Sequence, residues 1–167
     1  MNQEKNQEHS NKSDEVGGDT LAMPDDSMGF ALAERAGWHL LEKKAEDLIV
    51  IDLRGRSDVC DFFVLASGQS KIQVQALARH LHKVLLTAGH HPKGVEGMDD
   101  GRWALLDFFD VVVHVFHTEV REYFQLEKLW GDAPSLVLDS VWFASPDTAG
   151  RHPDLNLSKT SGADRAD

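Results

Sequence analysis

The stretch that decides the fold is Val111-Val112-Val113-His114-Val115-Phe116, an almost unbroken run of β-branched and aromatic residues. Such a run favours a strand, and apolar residues at both odd and even positions predict that both of its faces are buried. Just upstream lies Trp103-Ala104-Leu105-Leu106-Asp107, and the intervening Phe108-Phe109-Asp110 is short enough for a β-hairpin. A central strand buried on both faces must be covered, so the sheet is expected to carry packed helices.

The segments on either side supply those helices and further strands. Ser70 followed by Gln73 is the signature of a capped helix start, and the helix that follows ends at Gly89. Thr118 is predicted to cap a last helix that continues to Trp130. The remaining predicted elements are a helix over 30–45 and strands over 48–53, 62–66 and 92–95. The order α-β-β-α-β-β-β-α predicts an α/β fold, a mixed β-sheet with helices packed on it.

Charge and polarity separate this folding unit from two flanks. Residues 1–29 hold two Lys and seven Asp or Glu, lack apolar periodicity, and are predicted to form a disordered acidic N-terminal tail. Residues 30–134 are predicted to form the single α/β domain. Residues 135–167 are predicted to be a largely disordered C-terminal extension, although 136–138 and 141–143 are apolar enough to pack against something.

The overall composition excludes several classes of function. The 167 residues carry 17 Lys and Arg against 28 Asp and Glu, a net charge of −11. That balance argues against a general nucleic-acid binder, which needs a basic surface, but suits a basic protein partner. Cys60 is the only cysteine, so the chain forms no internal disulfide and no Cys-based zinc cage. Apolar runs are too short to span a membrane, and the polar start Met1–Glu15 is unlike a secretory signal. A cytoplasmic protein is therefore expected.

One strand-to-helix corner, Ser67-Gly68-Gln69-Ser70, is a candidate nucleotide site, because backbone N–H groups at a helix N-terminus can hold a phosphate. It lacks the Gly-Lys-Ser/Thr of a P-loop. It is similar to the Gly-Ser corner of nucleotidyltransferases, which also need paired carboxylates for Mg²⁺. The available carboxylates are Asp52, Asp58, Asp61, Asp107 and Asp110, none of them in an Asp-x-Asp pair. A capped turn is the simpler interpretation, and an enzyme that uses Ser67, Gly68 and Ser70 with Asp52 or Asp107 stays the alternative.

The histidines and the cysteine give weaker signals. His80 and His82 are two apart on a predicted helix and so point to different faces. His114 and His117 straddle a strand end and a helix start. No catalytic residue, metal site or cofactor is predicted from this spacing. Cys60, just before an apolar strand, is interpreted as a small core residue.

An aromatic surface is the stronger functional signal. His114 and Phe116 interrupt the aliphatic strand on one side, and that side could face Trp103 across the hairpin. The last predicted helix adds Tyr123, Phe124 and Trp130 among the charged residues Glu119, Arg121, Glu122, Glu127 and Lys128. Aromatic residues ringed by charge are typical of interface centres. Phe124 and Leu126 are interpreted as core, whereas Trp103 stays open between core and interface.

A family resemblance rests on these same residues. The motifs are Val95-Glu96-Gly97, Gly101-Arg102-Trp103, Asp107, Asp110-Val111-Val112-Val113-His114-Val115-Phe116-His117, Glu119-Val120-Arg121-Glu122-Tyr123 and Leu126-Glu127-Lys128-Leu129-Trp130-Gly131. Upstream, Ala45-Glu46-Asp47, Asp52-Leu53-Arg54, Ser57-Asp58 and Ala66-Ser67-Gly68-Gln69-Ser70 fit as well. Over about residues 32–133, this combination resembles the ribosomal silencing factor family RsfS, also called YbeB or Iojap.

The resemblance implies a non-enzymatic regulator. Such a protein binds the large ribosomal subunit through its protein uL14, blocks joining with the small subunit, and represses translation under nutrient limitation or in stationary phase. The resemblance also implies a nucleotidyltransferase-like fold without catalytic carboxylates, a possible homodimer, and no direct nucleic-acid binding beyond incidental rRNA contacts. A large-subunit assembly factor is the alternative that shares this partner. The partner-binding residues that the resemblance implies are Trp103, His114, Phe116, His117, Glu119, Arg121 and Tyr123, with Trp103 as the anchor.

Overall fold

A computed structural model describes residues 27–145 and Thr148 of the chain. The helices are α1 (Met28–Glu42), α2 (Lys71–Thr87), α3 (Thr118–Phe124), α4 (Leu126–Leu129) and α5 (Ser140–Ala144). The strands are β1 (Glu46–Asp52), β2 (Phe62–Gly68), β3 (Gly94–Glu96), β4 (Trp103–Asp107), β5 (Val111–His117) and β6 (Ser135–Val137). Among these residues no helix is long and apolar enough to cross a bilayer.

All six strands form one mixed sheet in the order β3-β4-β5-β2-β1-β6. Only the central pair, β2 and β5, is parallel, and every other neighbouring pair is antiparallel. The predicted hairpin is confirmed, with Trp103 of β4 opposite Phe116 of β5. The α/β fold with a mixed sheet is therefore confirmed.

Strand β5 is buried on both faces, as its sequence predicts. Val111, Val113 and Val115 lie in the main core under α1 and α2, because alternate residues of a strand point to opposite faces. Val112 and Phe116 lie on the other face. That face is covered in part by side chains from α3, α4 and the loop that follows: Val120, Leu126, Trp130 and Ala133.

Helix α2 begins as the sequence predicts. The Ser70 hydroxyl accepts a hydrogen bond from the Gln73 backbone N–H at 3.1 Å. In a capping box the Gln73 side chain would accept from the backbone N–H of Ser70. Here it accepts from the backbone N–H of Gln69, one residue earlier. This arrangement ties the end of β2 firmly to the start of α2.

The predicted last helix is wrong in two respects. Gln125 adopts a left-handed backbone with φ of 49°, and this residue divides the segment into α3 and α4. Thr118 is the first residue of α3 rather than its cap, and its hydroxyl donates to the Gly68 carbonyl oxygen. His117 occupies the N-cap position without a side-chain hydrogen bond. The break changes which side chains of the segment face outward.

The described fold also continues past Pro134, the predicted end of the domain. Strand β6 pairs with β1, and α5 packs on α1 through the Trp38 and Phe143 rings, whose centroids lie 5.1 Å apart. Leu138 is buried against Gly37, where a Cβ atom would lie 2.3 Å from the leucine side chain. The boundary at 134 is therefore too early, and Met28 and Gly29, which the prediction assigns to the tail, belong to α1. The rest of the predicted tail, apart from Ser27, lies outside the described residues.

Candidate functional site

Trp103 is held in a stack at the start of β4. Its ring lies on Phe116 with centroids 4.8 Å apart and an interplanar angle of 29°, as expected for residues directly opposite on paired strands. Its indole N–H donates to Nδ1 of His114 at 3.1 Å. Phe116 is fully buried, whereas Trp103 is half-buried. A large aromatic side chain is thus fixed with one part of its surface open to solvent.

The buried His114 stays neutral at physiological pH. Burial lowers its pKa to about 4, because desolvation disfavours the charged form. Since Nδ1 accepts from the indole, the neutral ring carries its proton on Nε2. Nε2 is itself buried and has no hydrogen-bond partner among the described residues. His114 therefore supports the Trp103 ring from below and is not an exposed titrating group.

Helix α3 brings two further rings beside Trp103. Phe124 lies 5.1 Å from Trp103 between ring centroids, and Tyr123 lies 5.1 Å from Phe124. Tyr123 is 82% exposed and Phe124 is 51% exposed. We call Trp103, Tyr123 and Phe124 the aromatic patch. Neighbouring exposed aromatic rings of this kind are characteristic of protein-binding surfaces.

A glycine turn fixes the backbone before Trp103. Gly97 has φ of 70°, and a Cβ atom there would lie 2.0 Å from the Trp103 carbonyl oxygen. Across the next strand, the His117 backbone N–H donates to the Arg102 carbonyl at 2.8 Å. The loop and the sheet together position Trp103, which explains the Gly97 and Gly101-Arg102-Trp103 motifs physically.

Arg121 fastens α3 to the sheet. Its guanidinium donates to the Ser67 hydroxyl and the Asp47 carbonyl, both at 2.8 Å, and to a Glu127 carboxylate oxygen at 2.6 Å. The Arg121 side chain is only 10% exposed. Arg121 therefore has a positioning role within the chain, because its donors bind atoms of β1, β2 and α4. Its contact with a partner stays a prediction.

Ser67 of the Ser67–Gly68 corner lines a cleft of about 360 Å³ beside Arg121. The groups proposed for phosphate and metal have intramolecular partners, and Asp52 lies opposite Phe62, at the other end of β2 from Ser67. Ser67 is buried and accepts from Arg121, and the Gln69 N–H donates to Gln73. Asp52 is clamped by two hydrogen bonds from the Arg54 guanidinium at 3.0 and 2.6 Å. These partners oppose the enzymatic alternative, because a ligand would have to displace them.

The other predicted contact residues divide by exposure. Glu119 and Tyr123 are exposed, and His117 is partly exposed. His114 is 4% exposed and Phe116 is fully buried, so both lie beneath Trp103 and their predicted direct contact with a partner is corrected. The interpretation of Phe124 as core is also wrong. This interpretation follows from the prediction of one continuous helix, and no glycine or proline in the segment signals the break at Gln125.

Comparison with known proteins places the chain among ribosome-linked proteins. A family model described as "Ribosomal silencing factor during starvation" matches residues 29–164. "Ribosomal silencing factor RsfS" of Halalkalibacterium halodurans is 48% identical over 100 residues, covering 60% of this chain and 86% of that protein. A crystal structure of a Chromobacterium violaceum protein is similar with a TM-score of 0.58 and 37% identity, covering 60% of this chain and 83% of that one.

A eukaryotic protein is also similar. "Mitochondrial assembly of ribosomal large subunit protein 1" of Mus musculus is 33% identical over 94 residues, covering 54% of this chain and 41% of that protein. Its name refers to assembly of the large subunit, whereas the bacterial name refers to silencing. Both names concern the ribosome.

Proposed function

The chain belongs to the ribosomal silencing factor family RsfS, and from that premise we propose that it binds the large ribosomal subunit and blocks joining with the small subunit. The observation that carries this proposal is the aromatic patch. Trp103 is fixed by Phe116 and His114, and Tyr123 and Phe124 stand exposed beside it. A fixed aromatic anchor loses little side-chain entropy on binding, which favours a contact of this kind.

The proposed partner on the large subunit is the protein uL14. Ribosomal proteins are mostly basic, and the net charge of −11 attracts a basic surface while repelling bare rRNA. Glu119 and Glu122 are exposed on α3 next to the aromatic patch. In this proposal the carboxylates steer association and set orientation, while the rings supply most of the binding free energy.

Repression then needs no chemical step. A protein seated on the face of the large subunit that meets the small subunit excludes it sterically, so potency depends on affinity and concentration. The hydrogen bonds of Asp52 and Ser67 with Arg54 and Arg121 support a non-enzymatic role. We also propose a cytoplasmic location and, from the family resemblance, a homodimer.

Cosedimentation with separated ribosomal subunits tests the binding step. Tyr123→Ala should weaken binding to the large subunit at least tenfold, because this side chain is 82% exposed in the free protein and offers an aromatic ring to a partner. Its fold should be unaffected, since exposed side chains contribute little to stability. Binding of a folded Tyr123→Ala variant at wild-type strength would remove the aromatic patch from the proposed interface.

Val59→Ala is the matched control. Val59 is 80% exposed and precedes β2, at the opposite end of the central strands from His117, since Phe62 pairs with Val111 and Gly68 with His117. Its truncation removes exposed apolar surface without touching the aromatic patch. We expect binding by Val59→Ala to equal that of the wild type.

Assembly of the large subunit is the second candidate function. The name of the mouse relative favours it, and it uses the same partner. A deletion strain that accumulates immature large subunits would support assembly. If the deletion strain instead contains mature large subunits and shows more subunit joining than the wild type in stationary phase, silencing would be supported.

A further inference from the structure

Helices α1 and α2 bring three metal-ligating side chains together away from the aromatic patch. His39 and Glu42 belong to α1, and His80 belongs to α2. One nitrogen from each histidine and one carboxylate oxygen of Glu42 all lie within 4.8 Å of one another. The three residues are therefore neighbours across a helix–helix contact, although His80 is distant from the other two in sequence.

The spacing within α1 already suits a bound metal. His39 and Glu42 are three residues apart, so their side chains share one helix face. His39 Nδ1 lies 3.4 Å from a Glu42 carboxylate oxygen. Two ligand atoms of a tetrahedral zinc site are about 3.4 Å apart, given bond lengths of about 2.0–2.2 Å. These two ligands need little adjustment to share an ion.

His80 has the position of a ligand. Its Nε2 is buried and has no hydrogen-bond partner among the described residues. A buried polar atom without a partner calls for an explanation, and a bound ion is one that the neighbouring His39 and Glu42 supply.

We propose that His39, Glu42 and His80 bind one transition-metal dication, with Zn²⁺ as the best-matched ion. Two imidazoles and one carboxylate form a donor set that zinc accepts, with solvent as the fourth ligand. Mg²⁺ and Ca²⁺ prefer oxygen ligands and should not compete. The ion would join α1 to α2 and so favour the folded state.

Sequence spacing shows only part of this cluster. His39 and Glu42 stand at the separation of three that two ligands on one helix can have, whereas His82, the nearest histidine to His80 on α2, is two residues away from it. The third ligand comes from a different helix, so only the packing of α1 on α2 brings it close. Lys43 and Lys83 also act on the His80 site with positive charge, and this repulsion should weaken binding of a cation.

Zinc titration of the metal-free, tag-free full chain by isothermal calorimetry tests the proposal. The wild type should bind one Zn²⁺ per chain, unaffected by excess Mg²⁺. His39→Ala, Glu42→Gln and His80→Ala should each weaken this event by more than about tenfold, since even outer partners of a ligand contribute 10- to 100-fold. Lys43→Gln should strengthen it, because a repelling charge is removed.

His82→Ala is the matched control, because His82 lies on the same helix outside the cluster. The chain has nine histidines, so weak binding elsewhere must be separated from the cluster. Circular dichroism checks each fold, and His80→Gln replaces His80→Ala if the alanine variant unfolds. The proposal would be overturned if the wild type bound no zinc, or if both His39→Ala and a folded His80 variant retained zinc binding. It would be supported if the cluster variants lost one bound zinc that His82→Ala kept.

Discussion

The indole N–H of Trp103 donates to Nδ1 of His114, 3.1 Å away, and this bond joins the exposed aromatic patch to the interior of the sheet. Phe116 lies under the same indole ring. The bond requires a neutral imidazole with an unprotonated Nδ1. The orientation of the proposed anchor is therefore coupled to the protonation state of a buried residue.

That coupling predicts a loss of stability in acid. The His114 pKa is lowered from 6.5 to about 4. Below pH 6.5 His114 is protonated in the unfolded chain but stays neutral in the folded chain. The free energy of unfolding therefore falls between pH 6.5 and 4, by up to about 3 kcal/mol. His114→Gln keeps an acceptor but does not titrate, and urea unfolding across this range should show a smaller decrease for this variant. Parallel pH profiles for the two proteins would contradict the assignment.

Removal of the Arg121 clamp should destabilise the fold and weaken subunit binding together. Arg121→Ala removes bonds to Ser67, Asp47 and Glu127, and we expect a loss of about 2 kcal/mol in the free energy of unfolding. Arg56→Ala is the control, because Arg56 is exposed and makes one long hydrogen bond of 3.4 Å. Its effect should stay within about 0.5 kcal/mol. Equal stabilities of the two variants by urea unfolding would contradict the clamp.

Gly97 should tolerate no side chain. Gly97 and Gly55 both have positive φ, 70° and 73°. A Cβ atom added at Gly97 would clash with the Trp103 carbonyl oxygen, whereas a Cβ atom added at Gly55 would have no atom within 4 Å. Gly55→Ala should therefore show backbone strain alone, about 1 kcal/mol. Gly97→Ala should lose at least about 2 kcal/mol and shift the tryptophan fluorescence, because its clash displaces Trp103. Identical effects of the two substitutions would show that the close contact is absent.

The segment after Pro134 should contribute to stability. Phe143 is 2% exposed and packs on Trp38, whereas Val141 of the same helix is 75% exposed. Phe143→Ala should lower the free energy of unfolding by about 3 kcal/mol or more. Val141→Ala should change it by less than about 0.5 kcal/mol. A Phe143→Ala variant as stable as the wild type would mean that α5 does not pack on α1.

The central elements could be predicted because their local sequence and their burial agree. The β-branched run at 111–116 and the Ser70–Gln73 start of α2 both specify their structures locally. The strand β6 could not be predicted, because Ser135–Val137 is too short for periodicity and forms only by pairing with β1.

The candidate site was predicted in part for a similar reason. Trp103 and Tyr123 are predicted as contact residues from aromatic residues among charges, and their contact with a partner stays a prediction. The interpretation of Phe124 as core is wrong, because neither a glycine nor a proline marks the left-handed turn at Gln125. The bonds of Arg121 to Asp47 and Ser67, which are far from it in sequence, are not predictable from the sequence. Contacts over such distances cannot be inferred from one chain without its fold.

Subunit joining tests the central claim most directly. Separated small and large ribosomal subunits are mixed at raised Mg²⁺ with the purified chain and analysed on a sucrose gradient. We expect the joined particle to decrease, the chain to migrate with the large subunit, and Tyr123→Ala to restore joining while Val59→Ala does not. Undiminished joining with the chain bound to the large subunit would contradict silencing by occlusion.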